Sequence, residues 1–116
     1  MQNPELTKDA KVLLGRLYNA YRARRDAGSD LPLTLFGNVY ETFMPEVSVA
    51  AATEAFKSLA DAGFVRNDYE SDDIATSTLL PRGIAYVENS TSQTIKDVVS
   101  TVQTIKDVVN TLTQLR

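Results

Sequence analysis

Pro45 divides two runs of apolar residues that both recur at helical spacing, with only a tight turn between them. Before it, Phe36, Val39, Tyr40 and Phe43 fit the i, i+3, i+4, i+7 template; after it, Val49, Ala52, Phe56, Leu59 and Ala60 form a second stripe. Proline disfavours helical geometry in the residue before it, so the first run must stop near Met44 and Pro45-Glu46-Val47 turns the chain. Ser48 supplies an N-cap for the next helix, and Gly63 ends it. Two short helices joined this closely need a third surface to bury both stripes.

A longer helix is expected upstream. Ala10, Leu13, Leu14, Leu17 and Tyr21 share one stripe of a helix expected from Thr7 to Ala27, closed by Gly28. Arg22, Arg24 and Arg25 fall in its last turns, where cations meet the exposed carbonyls and the negative dipole end. Residues Leu31 to Leu35 suit a short strand. Downstream, Phe64 to Tyr69 and Ile74 to Leu79 are rich in β-branched and aromatic residues and flank the polar tip Glu70-Ser71-Asp72-Asp73, which reads as a hairpin. Pro81 then suits the first turn of a helix through Ile84, Ala85 and Val87. The fold class expected is mainly α with a small β-hairpin (α+β), in the order of a winged helix-turn-helix domain spanning residues 1–90.

Residues 91–116 form a separate expected unit. Gln93-Thr94-Ile95-Lys96-Asp97-Val98-Val99 recurs ten positions later, and Ile95, Val98, Val102, Ile105, Val109 and Leu112 alternate spacings of three and four, as a and d positions do. Ser90 and Gln93 have capping-box spacing. Valine, isoleucine and threonine are poor helix formers, so such a helix needs a partner surface. The partner expected first is the same helix of a second copy, making a homodimer through a coiled coil; the alternative is the chain's own domain, with the helix folded back to complete the core.

The stretch Leu59-Ala60-Asp61-Ala62-Gly63-Phe64-Val65, a hairpin, and then Leu79-Leu80-Pro81-Arg82-Gly83-Ile84-Ala85-Tyr86-Val87-Glu88-Asn89-Ser90 together resemble small uncharacterised winged-helix proteins of Gram-positive bacteria and their prophages. The resemblance implies a winged-helix fold over roughly residues 7–90 and a further C-terminal helix. This chain departs from that pattern at Leu80, where the group carries a threonine that caps the following helix, so a side-chain cap is not expected there.

Composition narrows the function. The 116 residues contain no Cys and no His, which removes disulfides, thiolate or imidazole metal sites, cysteine nucleophiles and histidine bases together. With no glycine-rich phosphate loop or nucleophile elbow either, no enzymatic activity and no cofactor are expected. Asp68, Glu70 and Asp72 alternate like the opening of a calcium loop, but Asp73 stands where the turn needs Gly and Leu79 where a bidentate Glu belongs, so no metal is expected. The N-terminus has no basic region leading into an apolar run, and no stretch is long enough to span a bilayer; a cytoplasmic protein without a membrane partner follows as the expectation.

In a winged helix, the helix after the turn enters the major groove of DNA and the hairpin lies along the backbone. With Val49, Phe56 and Leu59 assigned inward, Ala50, Ala51, Glu54, Lys57 and Ser58 face outward, and Arg66 and Arg82 are the cations placed to hold phosphates. Against this, residues 31–90 carry three cations and nine carboxylates, in a chain of net charge −3. The sequence therefore supports a leading expectation and an alternative, in that order. One is a DNA-binding transcription regulator acting as a homodimer on double-stranded DNA. The other is a winged-helix protein-interaction module without DNA affinity, whose acidic hairpin suits a basic partner.

Overall fold

The computed structural model describes residues 6–28, 35–37, 39–71 and 73–100. Their order is α1 (Lys8–Asp26), β1 (Leu35–Gly37), α2 (Val39–Phe43), α3 (Val49–Asp61), β2 (Val65–Glu70), β3 (Asp73–Leu79) and α4 (Pro81–Glu88), and residues 93–100 are also helical. The described chain is thus mostly helical, with one small antiparallel sheet.

The two long helices begin as their capping residues dictate. Thr7 Oγ1 accepts the N–H of Ala10 at 3.2 Å, and Ser48 Oγ accepts that of Ala51 at 3.1 Å. The C-cap of α1 is Ala27 and that of α3 is Ala62, each followed by a glycine with φ near +80°. Pro81 opens α4, and Leu80 before it makes no side-chain cap, as the departure at that position implies.

Helix α1 buries Ala10, Leu13, Leu14 and Leu17 completely against α3, which buries Ala52, Ala55, Phe56 and Leu59. Each large side chain so removed from water is worth about 1.5–3 kcal/mol before conformational entropy is subtracted. Phe64, Leu79, Met44 and Val39 close the core from the sheet and from α2. Tyr18 belongs to the same core at 5% exposure, whereas Tyr21, one turn later and expected inside, is only half-buried.

Several expectations change with tertiary context. Phe36 does not join the helical stripe of α2. It lies in β1, which pairs antiparallel with β3 (Phe36 opposite Ser77), so cross-strand hydrogen bonding overrides a local 3.6-residue pattern. The sheet therefore has three strands, in the order β1-β3-β2. Val49 is 59% exposed rather than buried, because at the first position of α3 it borders an open groove lined by Tyr40, Met44 and Val47. The hairpin tip is tighter than expected: Glu70 pairs with Asp73, and Ser71 takes a left-handed φ of 51°.

The C-terminal helical residues lie on their own domain. Ile95 is 1% exposed and belongs to the core cluster, and Asn19 Nδ2 donates to the Val98 carbonyl at 3.3 Å. Ile95 and Val98 thus lie against their own domain, as the folded-back alternative expects. The remaining a and d positions, Val102, Ile105, Val109 and Leu112, lie outside the described residues. The Ser90–Gln93 capping box does not form. Ser90 Oγ accepts the N–H of Ser92 at 3.1 Å, while Gln93 Nε2 reaches forward to Asp97 Oδ1 at 2.7 Å, because the helix begins two residues later than that box requires.

Candidate functional site

The face expected to meet a partner is the outer side of α3 with the β2–β3 hairpin. The buried stripe of α3 leaves Ala50, Glu54, Lys57 and Asp61 opposite the core, and all four are exposed. Ala51 and Ser58 are half-buried on the flank nearer α1. Together with Glu54 and Lys57 they border a shallow cleft that also holds Thr7 and Asp9 from the first turn of α1. Sequence reasoning found the α3 residues by taking the complement of the apolar stripe. It missed Asp9, which carries no local signal for its proximity to α3.

That neighbour alters the electrostatics. Residues three and four apart adjoin on a helix surface, so Lys57 is bracketed by Glu54 and Asp61. With Asp9 across the cleft, this face presents one cation and three carboxylates. A phosphate approaching Lys57 would meet more repulsion than attraction at these short ranges.

The hairpin is fixed at its base by polar contacts that the sequence did not advertise. Asn67 Nδ2 donates to the Phe56 carbonyl of α3 at 3.0 Å, and the fully buried Ser77 donates to Asn67 Oδ1 at 2.9 Å. Asp68 pairs with Thr76 and Tyr69 with Ile74, which leaves Ala75 as an extra residue, a bulge in β3. At that bulge the Ile74 N–H donates to the Tyr40 hydroxyl at 3.2 Å, and that hydroxyl donates onward to Thr53 Oγ1 of α3 at 3.3 Å, the Thr53 proton being held by the Val49 carbonyl at 2.7 Å. Tyr40 thereby locks α2, α3 and the hairpin into one orientation.

The outward residues of the hairpin are acidic. Arg66 is exposed but lies 3.7 Å from Asp68, its neighbour on the same strand face, so its charge is already balanced locally. Glu70 and Asp73 are exposed beyond it, as is Tyr69 at 52%. Arg82 is exposed as well, but it belongs to a different part of the surface: its side chain crosses Gly63, just past the end of α3. The structure therefore gathers Ala51, Glu54, Lys57 and Ser58 into one cleft and leaves Arg66 and Arg82 outside it.

The basic end of α1 is engaged elsewhere. Arg22 lies over the Tyr18 ring at 5.9 Å and Arg25 over Tyr21 at 5.5 Å. The hydrogen bond and charge interaction with Tyr21 raise the Arg25 pKa further. Among the described residues no group of three or more acidic side chains is arranged to hold a metal ion, and no helix is long and apolar enough to cross a membrane. Comparison of the chain with protein-family models, with curated proteins and with solved structures finds no match.

Proposed function

We propose that the chain is a winged-helix interaction module that recognises a basic protein surface through α3 and the hairpin. The element order from α1 to β3, with a sheet ordered β1-β3-β2 and α3 exposed along one side, supports the winged-helix reading. The observation that carries the choice of partner is the pairing of Arg66 with Asp68 beside Glu70 and Asp73. It leaves the hairpin, the part that would track a phosphate backbone, with a net negative surface. Complementary charge speeds encounter with a basic partner and repels nucleic acid.

A second reading, a DNA-binding regulator, is favoured by one feature. Lys57 sits exposed on α3 without an ion pair among the described residues, two turns along the same exposed face from Ala50, whose small side chain would admit a thymine methyl. A homodimer belongs to this reading, and sedimentation of the full chain at tens of micromolar tests it.

Fluorescence anisotropy with a random duplex pool, at low and then moderate salt, separates the two. The proposal expects no salt-sensitive binding to DNA, and amide shifts confined to β2 and α3 when an arginine-rich peptide is titrated into the labelled protein. Micromolar binding to duplex that weakens steeply with salt would overturn it.

A further inference from the structure

A second feature of the surface stands apart from the acidic face and does not depend on what α3 binds. Between α1, α4 and the start of the C-terminal helical residues lies a cleft of about 560 Å³, within the size range of small-ligand sites. Two cations line it, Lys11 from α1 and Arg82 from the first turn of α4, and no carboxylate does. In a chain with three more acidic than basic residues, this is a local inversion of charge. Neither cation has an ion pair among the described residues, whereas Arg16, Arg25 and Arg66 each lie within 4 Å of a carboxylate.

The rest of the lining has matching chemistry. Ser90, Thr91 and Ser92 bring three hydroxyls, and Ser90 Oγ, which accepts the Ser92 N–H, keeps its own proton to donate. Ser92 O accepts the first helical bond, from Lys96 N at 3.1 Å, so the amides of residues 93–95 precede the regular ladder at that end. The half-buried Tyr86 supplies an aromatic wall, backed by the buried Phe64 ring 4.5 Å away at 34°. The Arg82 side chain lies across Gly63, a Cβ there being in ordinary contact 3.4 Å from Cδ.

We propose that this cleft binds a small phosphate monoester carrying a planar ring, of the mononucleotide class. The guanidinium and ammonium hold the phosphate, the former able to do so bidentately, and the hydroxyls donate to its remaining oxygens. The planar ring packs on the aromatic wall. Because Ser90 to Ser92 lead directly into the helical residues that carry Ile95, an occupied cleft ties the C-terminal helix more firmly to the domain.

The test is titration of the isotopically labelled full chain with AMP, adenosine, inorganic phosphate and duplex DNA, following amide shifts. The expected result is saturable binding of AMP with shifts at Lys11, Tyr86 and Ser90 to Ser92, weaker binding of phosphate, and little of adenosine. Lys11→Gln with Arg82→Gln should weaken AMP about tenfold or more, the scale of losing charge-assisted hydrogen bonds. Arg82→Gln alone, at an exposed side chain, serves if the double variant does not fold. Adenosine binding as tightly as AMP, duplex DNA alone shifting these amides, no saturation by any of the four, or unchanged AMP affinity in the variants would each overturn the proposal.

Discussion

Gly15 and Val98 meet so closely that a methyl group on the glycine would lie 2.9 Å from Val98 Cγ1 and 3.0 Å from its Cβ. Alanine in mid-helix normally gains about 1 kcal/mol over glycine. Here overpacking costs about 1–3 kcal/mol, because a valine has little rotamer freedom with which to retreat and Ile95 anchors its backbone. Gly15→Ala should therefore lower the stability measured by chemical denaturation, and lower it less in a Val98→Ala background, where the contact with Cγ1 is gone and that with Cβ remains. A Gly15→Ala variant more stable than the parent would mean that residues 93–100 do not rest on α1 in solution.

Gly83 offers a stricter case. A Cβ at this position would stand 2.6 Å from the Phe64 carbonyl oxygen, which cannot swing aside because it accepts the N–H of Leu80 at 2.9 Å. The loss from Gly83→Ala should exceed the helix-propensity gain and reach about 2 kcal/mol or more. Thermal unfolding with a midpoint unchanged from the parent would contradict the close packing of α4 on the β2 entry.

The contacts at the base of the hairpin predict an asymmetry. Asn67→Ala strands the buried Ser77 hydroxyl, whereas Ser77→Ala strands only one atom of a half-buried side chain. The first should cost about 1–3 kcal/mol and the second less. Hydrogen exchange should report faster opening of β2 in Asn67→Ala, since the bond to the Phe56 carbonyl is lost as well.

Two groups give stability a dependence on pH at opposite ends of the scale. Desolvation pushes the Glu46 carboxyl up, but its backbone N–H and the Arg16 guanidinium at 2.6 Å outweigh this and hold its pKa below the usual 4.5. The depressed value means that its stabilisation is present above pH 4.5 and is lost as pH falls through the folded value. At the other end, desolvation and then the hydrogen bond to Glu88 raise the Tyr18 pKa above 10.0. That contribution is intact below pH 10 and fades as pH rises through the folded value. Urea midpoints across pH should show the acid slope shrink in Glu46→Gln and the alkaline slope shrink in Tyr18→Phe.

The parts of this fold that could be read from the residues were those with local causes. Thr7 and Ser48 cap, Pro45 and Pro81 punctuate, and the stripes of α1 and α3 recur at helical spacing, so these elements needed no knowledge of the rest. β1 was legible only at its first residue: the short strand expected over Leu31 to Leu35 meets it at Leu35, residues 31–34 lie outside the described residues, and Phe36 and Gly37 are strand only by pairing with β3, some forty positions on. Ile95 and Val98 show a different limit. The same spacing serves a seam between copies and a helix docked on its own core, and the deciding residue, Gly15, signals close approach only once its partner is known. At the candidate site, Glu54 and Lys57 were legible as the complement of a buried stripe. Asp9 was not, because its distance from α3 is set by how α1 packs.

The strand order β1-β3-β2 leaves β2 at an open margin, where unpaired backbone donors and acceptors are a template for another chain. Its exposed residues Arg66, Asp68 and Glu70 sit on that margin, with Asp73 across the turn. Stacking a second such strand alongside would bring carboxylates to within about 5 Å of one another, away from water. Whatever they recognise, these side chains also keep the sheet from growing, so neutralising them should shorten the time the protein stays dispersed at high concentration.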